Sequence, residues 1–107
     1  MEYCTVYVTC RDRAEAFRIG RAVVETRLAA CANILDGMHS LYWWEGQVTE
    51  DQETVLLLKT RAEQFEAVRA EVCALHSYEV PCVVAWPIAA GHPPYLDWIT
   101  QETTDHE

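Results

Sequence analysis

The chain has 107 residues, half of them apolar and 23% charged, which suits one domain with one core and is too little for two. Asp and Glu number 17 against 8 Lys and Arg, a net charge of −9, and that balance argues against nucleic acid or an anionic membrane as the main partner. No stretch approaches the ~20 apolar residues of a membrane span. The opening Met1-Glu2-Tyr3-Cys4 has no basic leader region. Five cysteines without a C-x-x-C pair point to reduced thiols in the cytoplasm.

Cys4 to Thr9 alternates, with Cys4, Val6 and Val8 on one side and Thr5, Tyr7 and Thr9 on the other, the pattern of a half-buried strand. Asp12 and Glu15 form a capping-box pair for a helix whose buried arc is Ala16, Phe17, Ile19, Gly20, Val23, Val24 and Leu28. Ala30 to Leu35 begins a second strand, interrupted by a turn or bulge at Asp36-Gly37 and resumed through Leu41 to Trp44. Glu45-Gly46-Gln47 makes the bend. Leu41 to Thr60 thus reads as two strands folded back on each other at the glycine, with the polar tip of the return arm, 49–54, projecting as a loop beyond the body and Val55-Leu56-Leu57-Leu58 following it.

Thr60 and Glu63 offer a second capping box before a helix carrying Phe65, Val68, Val72 and Leu75. His76 to Pro81 breaks that helix. Cys82 to Trp86 is a further apolar strand, ended by Pro87 as an edge strand is. Pro94 opens a short last helix with Tyr95, Leu96, Trp98 and Ile99, and the polar tail 103–107 is expected to be loose.

The order β-α-β-β-α-β with a C-terminal helix is the split-βαβ, ferredoxin-like arrangement: an α+β fold, one antiparallel sheet, a single domain over 1–107. Both helices of the repeat lie on one face of such a sheet. Four apolar residues in a row at Val55 to Leu58 send side chains to both faces. The second face therefore needs a cover, which predicts an obligate oligomer.

The pieces Arg27-Leu28-Ala29-Ala30-Cys31-Ala32-Asn33-Ile34, Tyr42 to Gly46, Leu57-Leu58-Lys59-Thr60, Leu75 to Pro81 and Tyr95-Leu96-Asp97-Trp98-Ile99 occur in an order that resembles the CutA proteins, associated with divalent-cation tolerance. The resemblance runs from about Val6 to Ile99. It implies a homotrimer similar in plan to the PII signalling proteins, with clefts between subunits. It also implies copper ligation by a first-strand cysteine and histidines near the fourth strand. Here Leu75 precedes His76, so one histidine remains. Ser77 and Cys82 stand where the family commonly has a proline and an acidic residue.

Three kinds of chemistry follow from the residue types. Thiolate and imidazole are good copper and zinc ligands, which makes Cys10, His76 and Cys82 the metal candidates. Buried cysteines and a capping histidine are the plain structural alternative. Trp43, Lys59, Tyr78, Glu79, Tyr95 and Trp98 would give a ligand cleft aromatic walls, a cation and an anion, unless Lys59 and Glu79 simply pair. A nucleophilic Cys31 or Cys10 activated by His76 is the enzymatic option, but no nucleophile elbow, phosphate loop or H-E-x-x-H is present. The expectation is a cytoplasmic, non-enzymatic homotrimer concerned with divalent metal ions such as copper. The alternative is a PII-like module binding a small metabolite between subunits and signalling through 49–54.

Overall fold

A computed structural model describes residues 2–104. Strand β1 (Tyr3–Cys10) leads to helix α1 (Arg13–Glu25), then β2 (Cys31–Trp44) and β3 (Gln47–Arg61). A 3-10 turn (Ala62–Gln64) enters α2 (Phe65–Leu75), and β4 (Val83–Pro87) and α3 (Pro93–Glu102) complete the order. The sheet runs β2-β3-β1-β4 with every pair antiparallel, as the split-βαβ reading requires.

Register explains the core. Val6 opposes Leu58 and Ala85, and Val8 opposes Leu56 and Val83. These residues share the face covered by α1 and α2, where Ile19, Val23, Val68 and Val72 meet them and are buried. Phe17, assigned to the buried arc, is 44% exposed under the Arg13 guanidinium, 5.2 Å from its ring centre. Its place in the arc is taken by Glu15, fully buried. Gly20 is where α1 comes closest to the sheet, since a Cβ there would lie 3.2 Å from both Ala32 Cβ and Leu56 Cδ1. Gly20→Val is expected to cost about 1–3 kcal/mol through overpacking, seen as a lower urea midpoint. An unchanged midpoint would mean that α1 can lift without loss.

The bulge expected at Asp36-Gly37 is present as a register shift between Leu35 and Met38, with Gly37 at φ +78°. Glu45 and Gly46, at φ +49° and +78°, form the two-residue turn whose twist matches a hairpin. Residues 49–54 are not a loop. They pair with β2 from Tyr42↔Thr49 to Met38↔Glu53, so the projection is a paired ribbon. The second capping box does not form either: Thr60 stays in β3 and its hydroxyl donates to Leu28 O at 2.7 Å, while Arg61 pairs with Glu63.

Helix α3 crosses to the other face of the sheet. The Tyr3 and Thr100 hydroxyls meet at 2.6 Å, Arg61 Nε donates to Thr103 Oγ1 at 2.9 Å, and Ile99 is fully buried. Thr103, assigned to the loose tail, is the buried C-cap of α3, its hydroxyl donating to Ile99 O. Thr104 follows it, its hydroxyl donating to Thr100 O, and 105–107 lie outside the described residues. Beyond α3 this face stays bare, with Leu35, Val84 and Trp86 exposed.

Candidate functional site

Two places on the chain gather chemistry-bearing side chains. The first is a buried node at the N-terminus of α1. Asp12 caps the helix, its Oδ1 accepting from Glu15 N at 2.9 Å. The Glu15 side chain then accepts from two segments of backbone: Oε1 from Arg11 N and Oε2 from Ser77 N, both at 2.9 Å. Beside it, His76 Nδ1 accepts from Tyr78 N at 3.0 Å, which puts the ring proton on Nε2, donating to Thr9 O at 2.7 Å. Cys10 completes the group, with the ligand-type atoms of Cys10, Glu15 and His76 within 4.8 Å of one another.

Two of the three predicted metal ligands, Cys10 and His76, thus come together, and Glu15 takes the place of Cys82. Cys82 precedes β4 on the other side of the sheet and lines a separate cavity. Its distance from the node is a matter of layers, because Cys10 lies under the helices with Val6 and Val8. Sequence reading took Glu15 only as a cap. A cap that reaches forward to Ser77, 62 residues away, has no local signature.

Does the node fit a metal ion? Both imidazole nitrogens and both carboxylate oxygens are already engaged with backbone groups. Burial, then the carboxylates of Glu15, Asp12 and Glu53, push the Cys10 thiol up to about 12, whereas a metal ligand must be a thiolate. For Glu15, burial acts to raise the pKa, but Ser77, the Arg11 and Ser77 amides and His76 outweigh it and hold the carboxyl below its ordinary range. Among the described residues no buried side-chain nitrogen or oxygen lacks a partner. The residues do not fit a resident cation. They form a lock that ties α1, the end of β1 and the 76–78 segment together.

The second place is a cavity of about 760 Å³ on the sheet face opposite α1 and α2, between the hairpin and the 78–82 segment. Tyr42, Trp44 and Tyr78 give it aromatic walls, and Asp51, Glu53 and Glu79 line it with carboxylates. Tyr78 Oη donates to Glu53 at 2.8 Å and Tyr42 Oη to Asp51 at 3.3 Å. The negative potential is felt by its neighbours: burial and then Glu53 hold the phenol of Tyr78 and the thiol of Cys82 above their ordinary ranges.

Within one chain the six predicted cleft residues do not converge. Tyr78 and Glu79 line the cavity. Lys59, Tyr95 and Trp98 meet at the far end of the same face, with Lys59 Nζ 5.6 Å from the Tyr95 ring centre and the two aromatic rings 5.6 Å apart. The Lys59 partner is thus an aromatic ring and not Glu79. Trp43 points to the opposite side of the hairpin, 75% exposed, and Trp44 is the tryptophan at the cavity. Strand alternation makes this choice, and the bulge before Met38 resets which parity faces which way. Cys31 stands near Tyr95, its Sγ 3.6 Å from the hydroxyl, so His76 is not its base.

Comparison with known proteins gives a consistent answer. Residues 4–102 match the family of the CutA1 divalent ion tolerance protein. The divalent-cation tolerance protein CutA of Thermus thermophilus is 48% identical over 98 residues, 92% of this chain and 95% of that one. Protein CutA 1, chloroplastic, of Oryza sativa is 41% identical over 100 residues, covering 94% of this chain but only 56% of the rice protein. The solved structure of the periplasmic divalent cation tolerance protein CutA of Archaeoglobus fulgidus superposes with a TM-score of 0.93 at 41% identity, covering 95% of this chain and 99% of that one. With the strand order, the bulged hairpin and the crossing α3 all in place, this chain belongs to the CutA1 divalent ion tolerance family.

Proposed function

We propose that this chain works as a cytoplasmic, non-enzymatic homotrimer in the tolerance of divalent metal ions such as copper. The observation that carries the reading is the bare sheet face beside α3, where Leu35, Val84 and Trp86 are 44–56% exposed in a member of a cation-tolerance family. An apolar surface of this kind marks a contact, and a stable one covers roughly 800 Å² on each partner. Five free cysteines suit a reducing compartment. The buried, strongly protonated Cys10 thiol suits packing and not nucleophilic catalysis.

On this reading copper meets the protein at solvent-facing groups such as Cys82, and not at the Cys10–Glu15–His76 lock. Native mass spectrometry with and without equimolar Cu(I) or Cu(II) tests both parts. The expected result is a trimer whose copper uptake falls with Cys82→Ser and is unchanged by His76→Ala. A monomer would overturn the assembly. Stoichiometric uptake abolished by His76→Ala would make the lock a metal centre after all.

A further inference from the structure

Every arginine among the described residues lies within 4 Å of a carboxylate of its own chain: Arg11 with Asp12, Arg13 with Asp36, Arg18 with Glu15, Arg21 with Glu25, Arg27 with Glu102, Arg61 with Glu63 and Arg69 with Glu66. The one lysine, Lys59, differs. Among the described residues it has no such carboxylate, and it stands over the Tyr95 ring on the sheet face opposite α1 and α2. On that same face the cavity presents Asp51, Glu53 and Glu79, and neither a lysine nor an arginine lines it.

Glu53 and Lys59 lie on one strand, six positions apart by number, so about 20 Å separates their backbones at the rise of a β-strand. Neither side chain spans that gap, and the pair cannot close within a chain. A second copy, rotated, can bring its Lys59 to this copy's cavity. Such a contact joins unlike patches, and head-to-tail contacts of that kind close into rings.

We infer that Lys59 of one subunit enters the Asp51–Glu53–Glu79 cavity of the next and pairs there with its carboxylates. This rests on the homotrimer reading and adds the residues that make it specific. Charge complementarity supports it: a chain of net charge −9 repels its own copies, and Lys59 is the cation left to offset that repulsion at the contact. The aromatic walls suit an alkylammonium, since Tyr42, Trp44 and Tyr78 line the cavity and aromatic rings take both an apolar stem and a cation. Tyr78 is held for this role at both ends, its amide donating to His76 Nδ1 in the lock and its hydroxyl to Glu53 in the cavity.

The test is a double-mutant cycle on the full chain, with Lys59→Met, which keeps the apolar stem, Glu53→Gln and the two combined. Sedimentation measures the concentration at which the trimer half-dissociates, in mild urea if needed, and circular dichroism confirms that the fold is retained. Each single change should raise that concentration about tenfold or more. The double change should be no worse than the poorer single, and Lys59→Arg should retain assembly. Single changes without effect, or losses that simply add, would overturn the pairing while leaving the trimer intact. Saturable entry of free butylamine into the wild-type trimer would also overturn it, by showing the cavity vacant. A monomeric wild-type protein would remove the homotrimer reading itself.

Discussion

Leu57→Asp should abolish assembly, leaving soluble monomer or insoluble protein. Leu57 sits in β3 between Tyr7 and Asn33 of the flanking strands, on the face away from α1 and α2. Neighbouring Leu56 and Leu58 are fully buried on the helix side, so a change at Leu57 leaves the core of the subunit alone. On the homotrimer reading the new carboxylate would be desolvated beneath another subunit, while Lys59 on the same face is committed to the neighbour's cavity. An uncompensated buried charge costs about 3–5 kcal/mol, and a symmetric trimer repeats that loss at each contact. Size-exclusion chromatography with light scattering reads the outcome. A trimer of normal stability would show that this face is not the interface, whatever Lys59 does.

The second large effect is expected at Glu15. Glu15→Ala should destabilise the subunit by about 3 kcal/mol or more, because a fully buried carboxylate that accepts from Arg11 N and Ser77 N is removed and both donors are left without it. The loss should appear as a lower urea midpoint with the slope unchanged. It should exceed that of Asp12→Ala, which removes only an exposed N-cap hydrogen bond. The pH dependence has a definite sign. The folded-state pKa of Glu15 is depressed, so its contribution is fully present above the ordinary carboxylate range of the unfolded chain. It is lost as pH falls through the lower folded value. Wild-type stability should therefore drop on acidification below about pH 4.5, and the Glu15→Ala protein should drop less over the same window. Parallel curves for the two proteins would show that Glu15 is not the group being titrated.

How legible was this protein in its sequence? Local chemistry was readable wherever one residue acts on its immediate neighbours. The Asp12 cap, the Asp36-Gly37 bulge, the Glu45-Gly46 turn and the edge strand ending at Pro87 all followed from residue type and spacing. The alternation of Cys4 to Thr9 and the two-sided run at Val55 to Leu58 gave the strands and the helix-covered face. Residues 49–54 were misread as a loop because polar side chains on a ribbon beyond the body look like loop residues. The β2 partners of 49–53 lie up to fifteen positions earlier in the chain and Thr54 pairs with Cys10 in β1, outside any local window.

The candidate site depended on longer reach. Cys10 and His76 stand out by their chemistry, and the fold does bring them together, but it adds Glu15 and engages both imidazole nitrogens and both carboxylate oxygens with backbone groups. Residue types alone thus suggested a metal centre where the packing makes a lock. Trp43 was chosen over Trp44 because nothing in the dipeptide says which indole faces the cavity; the bulge upstream decides that. By itself the sequence determined the elements, their order and the sheet face that the helices cover. These follow from hydrophobic period and turn chemistry, which act over a few residues. Only the tertiary structure decided which side chains meet, which are already satisfied and which cation remains unpaired, because those depend on contacts between strands and helices distant along the chain.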